Sequence, residues 1–179
     1  MLLDPEKHFA NVAAREMAPR TLEQRQRDVY DSHRHRIFSV SCYMTGSEIE
    51  AEDLLTGTFV RAFGRAEEPD REMIDQSLLE ELREQMVLQD DACDLPLTPA
   101  EALPPGRNIL RTDLEEAIRC LPSTERLVFL LMDVEGYPAP RIAGLLAIST
   151  SEVLRTAVAA RIRLRAKLAT LSQSDQQAA

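Results

Sequence analysis

Between Gln89 and Gly106 no helix can run unbroken, and that interruption constrains the fold of this chain more than any other feature. Pro96, Pro99, Pro104 and Pro105 each remove a backbone donor, and Asp90, Asp91 and Asp94 favour solvent over burial. Such a stretch reads as a linker, here residues 89–107. It divides the 179 residues into two halves, each too small for more than about three or four helices around a core.

The first half has helical periodicity. Residues 1–20 are weakly patterned and read as an arm. From Leu22 onward Val29, Tyr30, His33, Ile37, Val40, Ser41 and Met44 recur at steps of three and four, as one face of a helix requires. Gly46 ends that helix, and Ser47 with Glu50 forms the expected capping box of the next. The second helix is expected over 48–63, with Ala51, Leu54, Leu55, Thr58, Phe59 and Ala62 facing inward and Gly64 as its breaker. A third is expected over 71–88, burying Ile74, Leu78, Leu82 and Met86.

The second half opens with a short helix over 113–121, stopped by Pro122. Ser123 is the expected cap of the next helix, with Glu125 near its positive end and Leu127, Leu130, Leu131 and Val134 as its buried stripe. After Gly136, a helix over 141–146 is followed by a turn at Ala147 and Ile148. Ser149 then caps a long last helix, with Glu152 as the other half of its capping box and Val153, Ala157, Leu164 and Leu168 inward. A short helix, a tight turn and a capped second helix make a helix-turn-helix, in which the first helix braces the second and the second offers its N-terminal turn to a DNA groove. Spacing alone leaves DNA reading and plain scaffolding both open.

Composition agrees with an all-α chain: aromatics are 4% and Trp is absent, while Leu, Ala, Arg and Glu dominate. The net charge of −9 is unevenly spread. Twelve acids against Arg71 and Arg83 fall between Glu67 and Glu101, whereas Arg141 to Lys167 holds six bases against Glu152 alone. The C-terminal part is therefore the anion-facing candidate, and the acidic middle is a solvated face and linker. No stretch approaches the roughly 20 apolar residues of a membrane span, and no signal-peptide core follows Met1, so a cytoplasmic protein without membrane contact is expected. Cys42, Cys93 and Cys120 lack any CxxC spacing and read as reduced thiols. His33 and His35 point in different directions on a helix, which suits joint metal ligation badly; no metal and no cofactor are expected. A Gly-rich phosphate loop, an H-E-x-x-H pair and a nucleophile elbow are all missing, so no catalytic residues are assigned and an enzyme is not expected.

Two sets of residues carry a family resemblance. The first runs Leu121-Pro122-Ser123-Thr124-Glu125-Arg126-Leu127-Val128-Phe129-Leu130, then Asp133-Val134-Glu135-Gly136-Tyr137, Ile142-Ala143-Gly144-Leu145-Leu146-Ala147-Ile148-Ser149, Val153 and Arg161-Ile162-Arg163-Leu164-Arg165. It closely resembles region 4 of the extracytoplasmic-function sigma factors of the sigma-70 superfamily. The second runs Tyr30-Asp31 to Ile37, Ala51-Glu52-Asp53-Leu54 and Thr58-Phe59-Val60-Arg61-Ala62-Phe63, and resembles region 2 of the same family. The resemblance implies two small helical domains, at 21–88 and 108–171, joined by the Pro-rich acidic linker and followed by a tail at 172–179. It implies a factor that binds core RNA polymerase and directs promoter-specific initiation. Glu52, Asp53 and Leu54 would lie in the polymerase-docking helix. Arg141, Thr150, Ser151 and Arg155 would lie on or beside the surface that meets promoter DNA. An anti-sigma factor is a further partner the resemblance brings.

Several positions depart from the family pattern. Thr56 and Gly57 stand where Gln and Glu usually extend the docking helix, and Gly inside a helix costs about 1 kcal/mol relative to Ala. The third helix is acidic where a melted strand needs aromatics and cations. Leu154, Thr156 and Ala159 replace bases of the recognition helix, and Ala147 replaces a turn Gly, which strains a left-handed backbone. Fewer phosphate contacts predict weak DNA binding with a shallow salt dependence. Two readings follow: a divergent sigma factor, or a sigma-like interaction module, such as an anti-sigma decoy, that has lost promoter binding.

Overall fold

The computed structural model describes residues 20–86, 88 and 109–177, with the side chains of the last helix described as far as Leu171. Residues 1–19 of the arm and the whole linker at 89–107, Cys93 included, lie outside the described residues. Among the described residues seven α-helices form: α1 Leu22–Thr45, α2 Glu48–Arg65, α3 Arg71–Gln85, α4 Arg111–Arg119, α5 Ser123–Phe129, α6 Ala139–Leu146 and α7 Thr150–Gln177. A π-helical turn, Leu130–Val134, prolongs α5. No strand occurs among the described residues.

Local chemistry sets most boundaries. Thr21 caps α1 through a capping box with Gln24, a signal the hydrophobic pattern did not reveal. Gly46 ends α1 at φ 75°, a left-handed conformation that glycine adopts without a Cβ clash. Ser47 caps α2 by accepting from the Glu50 N–H, but the return bond of the expected box is not made by Glu50: the Ser47 N–H donates to Thr45 Oγ1 at 3.2 Å. α2 runs through Gly64 to Arg65, since a lone glycine weakens a helix without ending it. Asp70 caps α3 through the Met73 N–H, and α3 closes at Gln85 rather than 88.

In the second half α4 starts two residues earlier than the pattern predicts, at Arg111. Ser123 is the first residue inside α5 rather than its cap; Pro122 takes the cap position, and no side-chain cap bond is made there. Val134 is 56% exposed, because the π-helical turn rotates the stripe away from the core after Leu131. Glu125, in the first turn of α5 as expected, is only 4% exposed. α6 begins at Ala139, before the expected Arg141, with Pro140 in its first turn where a missing N–H costs nothing. Around α7 both halves of the Ser149–Glu152 capping box form. α7 continues to Gln177, into the segment the sequence suggests as a tail.

Apolar side chains of both halves meet in one continuous cluster, from Ile37, Met44, Leu54, Ile74 and Leu82 to Leu127, Ile142, Val153 and Ala160. α2 packs on α1 and α3 on α2, α7 packs on α4, α5 and α6, and α4 and α5 touch α1 while α6 touches α3. Arg126 joins the halves: it donates to the carbonyls of Tyr43 and Met44 at the end of α1 and to those of Arg119 and Leu121 beside its own helix. Among the described residues no single helix is long and apolar enough to cross a membrane.

Candidate nucleic-acid interface

α6, the turn Ala147–Ser149 and α7 form the helix-turn-helix. Ala147 sits at φ 57°, ψ 39°, the left-handed region, and is the one non-glycine there among the described residues. That conformation lets its N–H and that of Ile148 both return to the Ala143 carbonyl, closing α6 sharply. Ser149 Oγ then accepts from the Glu152 N–H at 3.2 Å, and Glu152 Oε2 accepts from the Ser149 N–H at 2.8 Å. The Ser149 hydroxyl, which donates to Glu152 Oε2 at 2.6 Å, and then the Ser149 N–H hold the Glu152 carboxyl below its usual range.

α7 buries Val153, Ala157, Ala160, Leu164 and Leu168 and turns its other side outward. Thr150, Ser151 and Arg155 are all exposed on its leading turns, as a groove reader requires. Ser151 Oγ lies 2.9 Å from Ser149 Oγ. Leu154 and Val158, half exposed at 50% and 49%, share that outer surface.

The basic series further along α7 is mostly committed to bracing. Arg161 makes a two-pronged bond to Asp133, at 2.6 and 3.1 Å. Lys167 Nζ lies 2.9 Å from Glu116. Arg163 approaches the buried Glu125 carboxylate at 3.3 Å without hydrogen-bond geometry, and burial pushes the Glu125 carboxyl up. Arg155 and Arg165 are the exposed bases left to meet an anion.

Arg141 takes a different position from the other three residues. Its guanidinium lies 4.3 Å over the Tyr137 ring, and Nη2 bonds Asp75 Oδ2 at 3.0 Å. Asp75, on α3 and 3% exposed, also receives the Tyr137 hydroxyl at 2.7 Å and faces Arg36 Nη1 at 2.7 Å. Arg36 and Arg71 both donate to the Tyr137 oxygen, at 2.9 and 2.8 Å. Burial, and then the Asp75 hydrogen bond, push the Tyr137 phenol up. This node went unseen in the sequence. The signal present was an acid on the inner stripe, since Asp75 precedes Leu78 and Leu82 by three and seven residues.

On α2, Glu52 and Asp53 are exposed, whereas Leu54 is 0% exposed. Leu54 thus fixes the helix from beneath, while the outer stripe is Ile49, Glu52, Asp53, Thr56 and Val60. Gly57 is where α3 comes close: a Cβ there would stand 2.6 Å from Glu81 Oε2. Glu81 reaches past it to Arg61 Nε at 2.8 Å, and Arg61 also binds Glu80 and Glu84. Arg65 is the main cause that holds the Glu80 carboxyl low. Much of the acidic surface of α3 is therefore neutralised by α2. Cys42 and Cys120 are free thiols, and no group of His, Cys, Asp and Glu gathers as a metal site among the described residues.

The arrangement defines an all-helical helix-turn-helix protein. Residues 111–164 match the family model of sigma-70 region 4. The fold is similar to that of the sigma factor RpoE in its co-crystal structure with the anti-sigma factor NepR from Bartonella quintana, with a TM-score of 0.58 at 18% identity. That likeness covers 82% of this chain and 95% of the other, and at such identity it is one of fold. No curated protein is similar enough in sequence to align with the chain. The match over 111–164 and the likeness of fold lie in the same direction as the resemblance of the sequence.

Proposed function

We propose that this protein is a sigma factor that binds core RNA polymerase and directs initiation at specific promoters. One observation carries the reading: the capped leading turn of α7 stands in solvent with Thr150, Ser151 and Arg155 outward, braced by α6 beneath it. A structural bundle would bury that turn. In this reading 21–88 and 108–171 act as two domains across the 89–107 linker, in the cytoplasm and without catalytic groups of their own. Arg155 contacts DNA beside Thr150 and Ser151, and Arg141 joins them when it is released from Asp75. Glu52 and Asp53, flanked by the exposed Ile49 and Val60, meet a basic and apolar surface of the polymerase, with Leu54 holding the helix in place.

A second reading, an interaction module that no longer opens promoters, is favoured by the engagement of Arg161, Arg163 and Lys167 within the fold. Its partner would be an anti-sigma protein of the kind seen on the similar solved structure. Run-off transcription with core polymerase, beside a core-polymerase pull-down, separates the two. Transcripts abolished by Arg155→Glu with the pull-down intact are the outcome expected of an initiator. Pull-down without transcripts on any promoter template would assign the module.

A further inference from the structure

Thr150, Ser151, Leu154, Arg155 and Val158 are all exposed on the leading turns of α7. Steps of three and four place them on one side of the helix, away from the buried Val153, Ala157 and Ala160. The make-up of that side is unusual: two hydroxyls, one cation and two branched hydrocarbons. Leu154 and Val158 are half exposed and have no polar atom to offer. A solvent-facing helix surface ordinarily holds charge at such positions, and a surface that grips phosphates holds Lys or Arg. Leu154 is also one of the positions at which a base of the family pattern is replaced.

An apolar side chain pressed into a groove loses its water and gains only if it meets another apolar group. Among the groups that base pairs display in the major groove, the C5 methyl of thymine is the hydrocarbon one. Four residues of helix rise about 6 Å and one base step rises about 3.4 Å, so side chains four apart face bases one or two steps apart. We propose that Leu154 and Val158 determine sequence specificity by packing on the C5 methyls of two thymines within two base steps of each other. The inference rests on the DNA-reading role of α7 proposed above and names the feature of the duplex that is read. Thr150, Ser151 and Arg155 supply the polar contacts around the two methyls. Attraction to phosphate, which salt screens, gives way at Leu154 to an apolar contact that salt leaves in place.

The test uses the full chain bound to core RNA polymerase and a pool of random-sequence duplexes. The duplex most enriched by retention on the complex is remade with deoxyuridine for thymidine, one position at a time. Deoxyuridine keeps the pairing edge and lacks only the methyl. Two positions within two steps of each other are expected at which it weakens binding about fourfold each, the worth of one buried methylene. Leu154→Ala should erase the loss at one of them and Val158→Ala at the other, with circular dichroism showing unchanged helix content, since both side chains are half exposed. The fourfold ratios should persist as salt is raised. An enriched duplex with no methyl effect at any position, or methyl losses that both alanine variants keep, overturns the inference. Loss of that duplex's retention in Arg155→Glu would then leave DNA reading by α7 standing. A pool from which nothing is enriched overturns both.

Discussion

Ala147 holds a left-handed backbone, φ 57°, that a Cβ disfavours and a glycine accepts. Ala147→Gly relieves the strain and is expected to raise stability by about 1 kcal/mol, read as a higher urea midpoint at unchanged slope. His33 titrates below its ordinary 6.5, first because it is partly buried and then because Arg36 is near, with Asp75 opposing. A histidine whose folded pKa lies below its unfolded one adds stability above the unfolded value and loses it as pH falls through the folded one. Urea midpoints are therefore expected to drop as pH falls from neutrality into the fives, and His33→Gln should remove most of that slope. The burial-raised Glu125 works in the opposite sense and at lower pH: its contribution is present below its ordinary 4.5 and lost as pH rises through the folded value. A His33→Gln variant that keeps the full slope would sink the assignment.

At the scale of elements, α2 and α3 explain why a glycine stands inside a helix. Its absent Cβ leaves room for the Glu81 carboxylate, which would otherwise lie at 2.6 Å, on its way to Arg61. In an Glu81→Ala background Gly57→Ala should stabilise by about 1 kcal/mol, the ordinary helix-propensity gain. In the natural chain the same change displaces Glu81, and the gain should vanish. A double-mutant cycle by thermal unfolding reads the coupling, and additive effects would refute the packing argument. The resemblance-based reading takes Thr56–Gly57 as lost polymerase contacts; the packing adds a reason internal to the fold.

For the whole molecule, Arg126 is the side chain that ties helix ends across the halves. Burial lowers its pKa, and four carbonyls accept from it. Arg126→Met keeps the apolar stem but strands the Met44 and Leu121 carbonyls, a loss of about 2–3 kcal/mol expected from charged hydrogen bonds. Chemical unfolding checks it, and a change under about 0.5 kcal/mol, typical of surface sites, would contradict it.

Helix content, the Ser149–Glu152 cap and the left-handed Ala147 were all legible in the chain, because periodicity, capping and chirality act over a few residues. So was the exposure of Thr150, Ser151 and Arg155, which follows from Val153 and Ala157 facing inward at helical spacing. The tertiary structure alone decided which charges would be free. Asp75 and Arg141 lie 66 residues apart, their neighbours Arg36 and Tyr137 lie 101 apart, and nothing local pairs them. A charge's partner depends on which faces are brought together, and those faces are chosen by the burial of the whole apolar cluster.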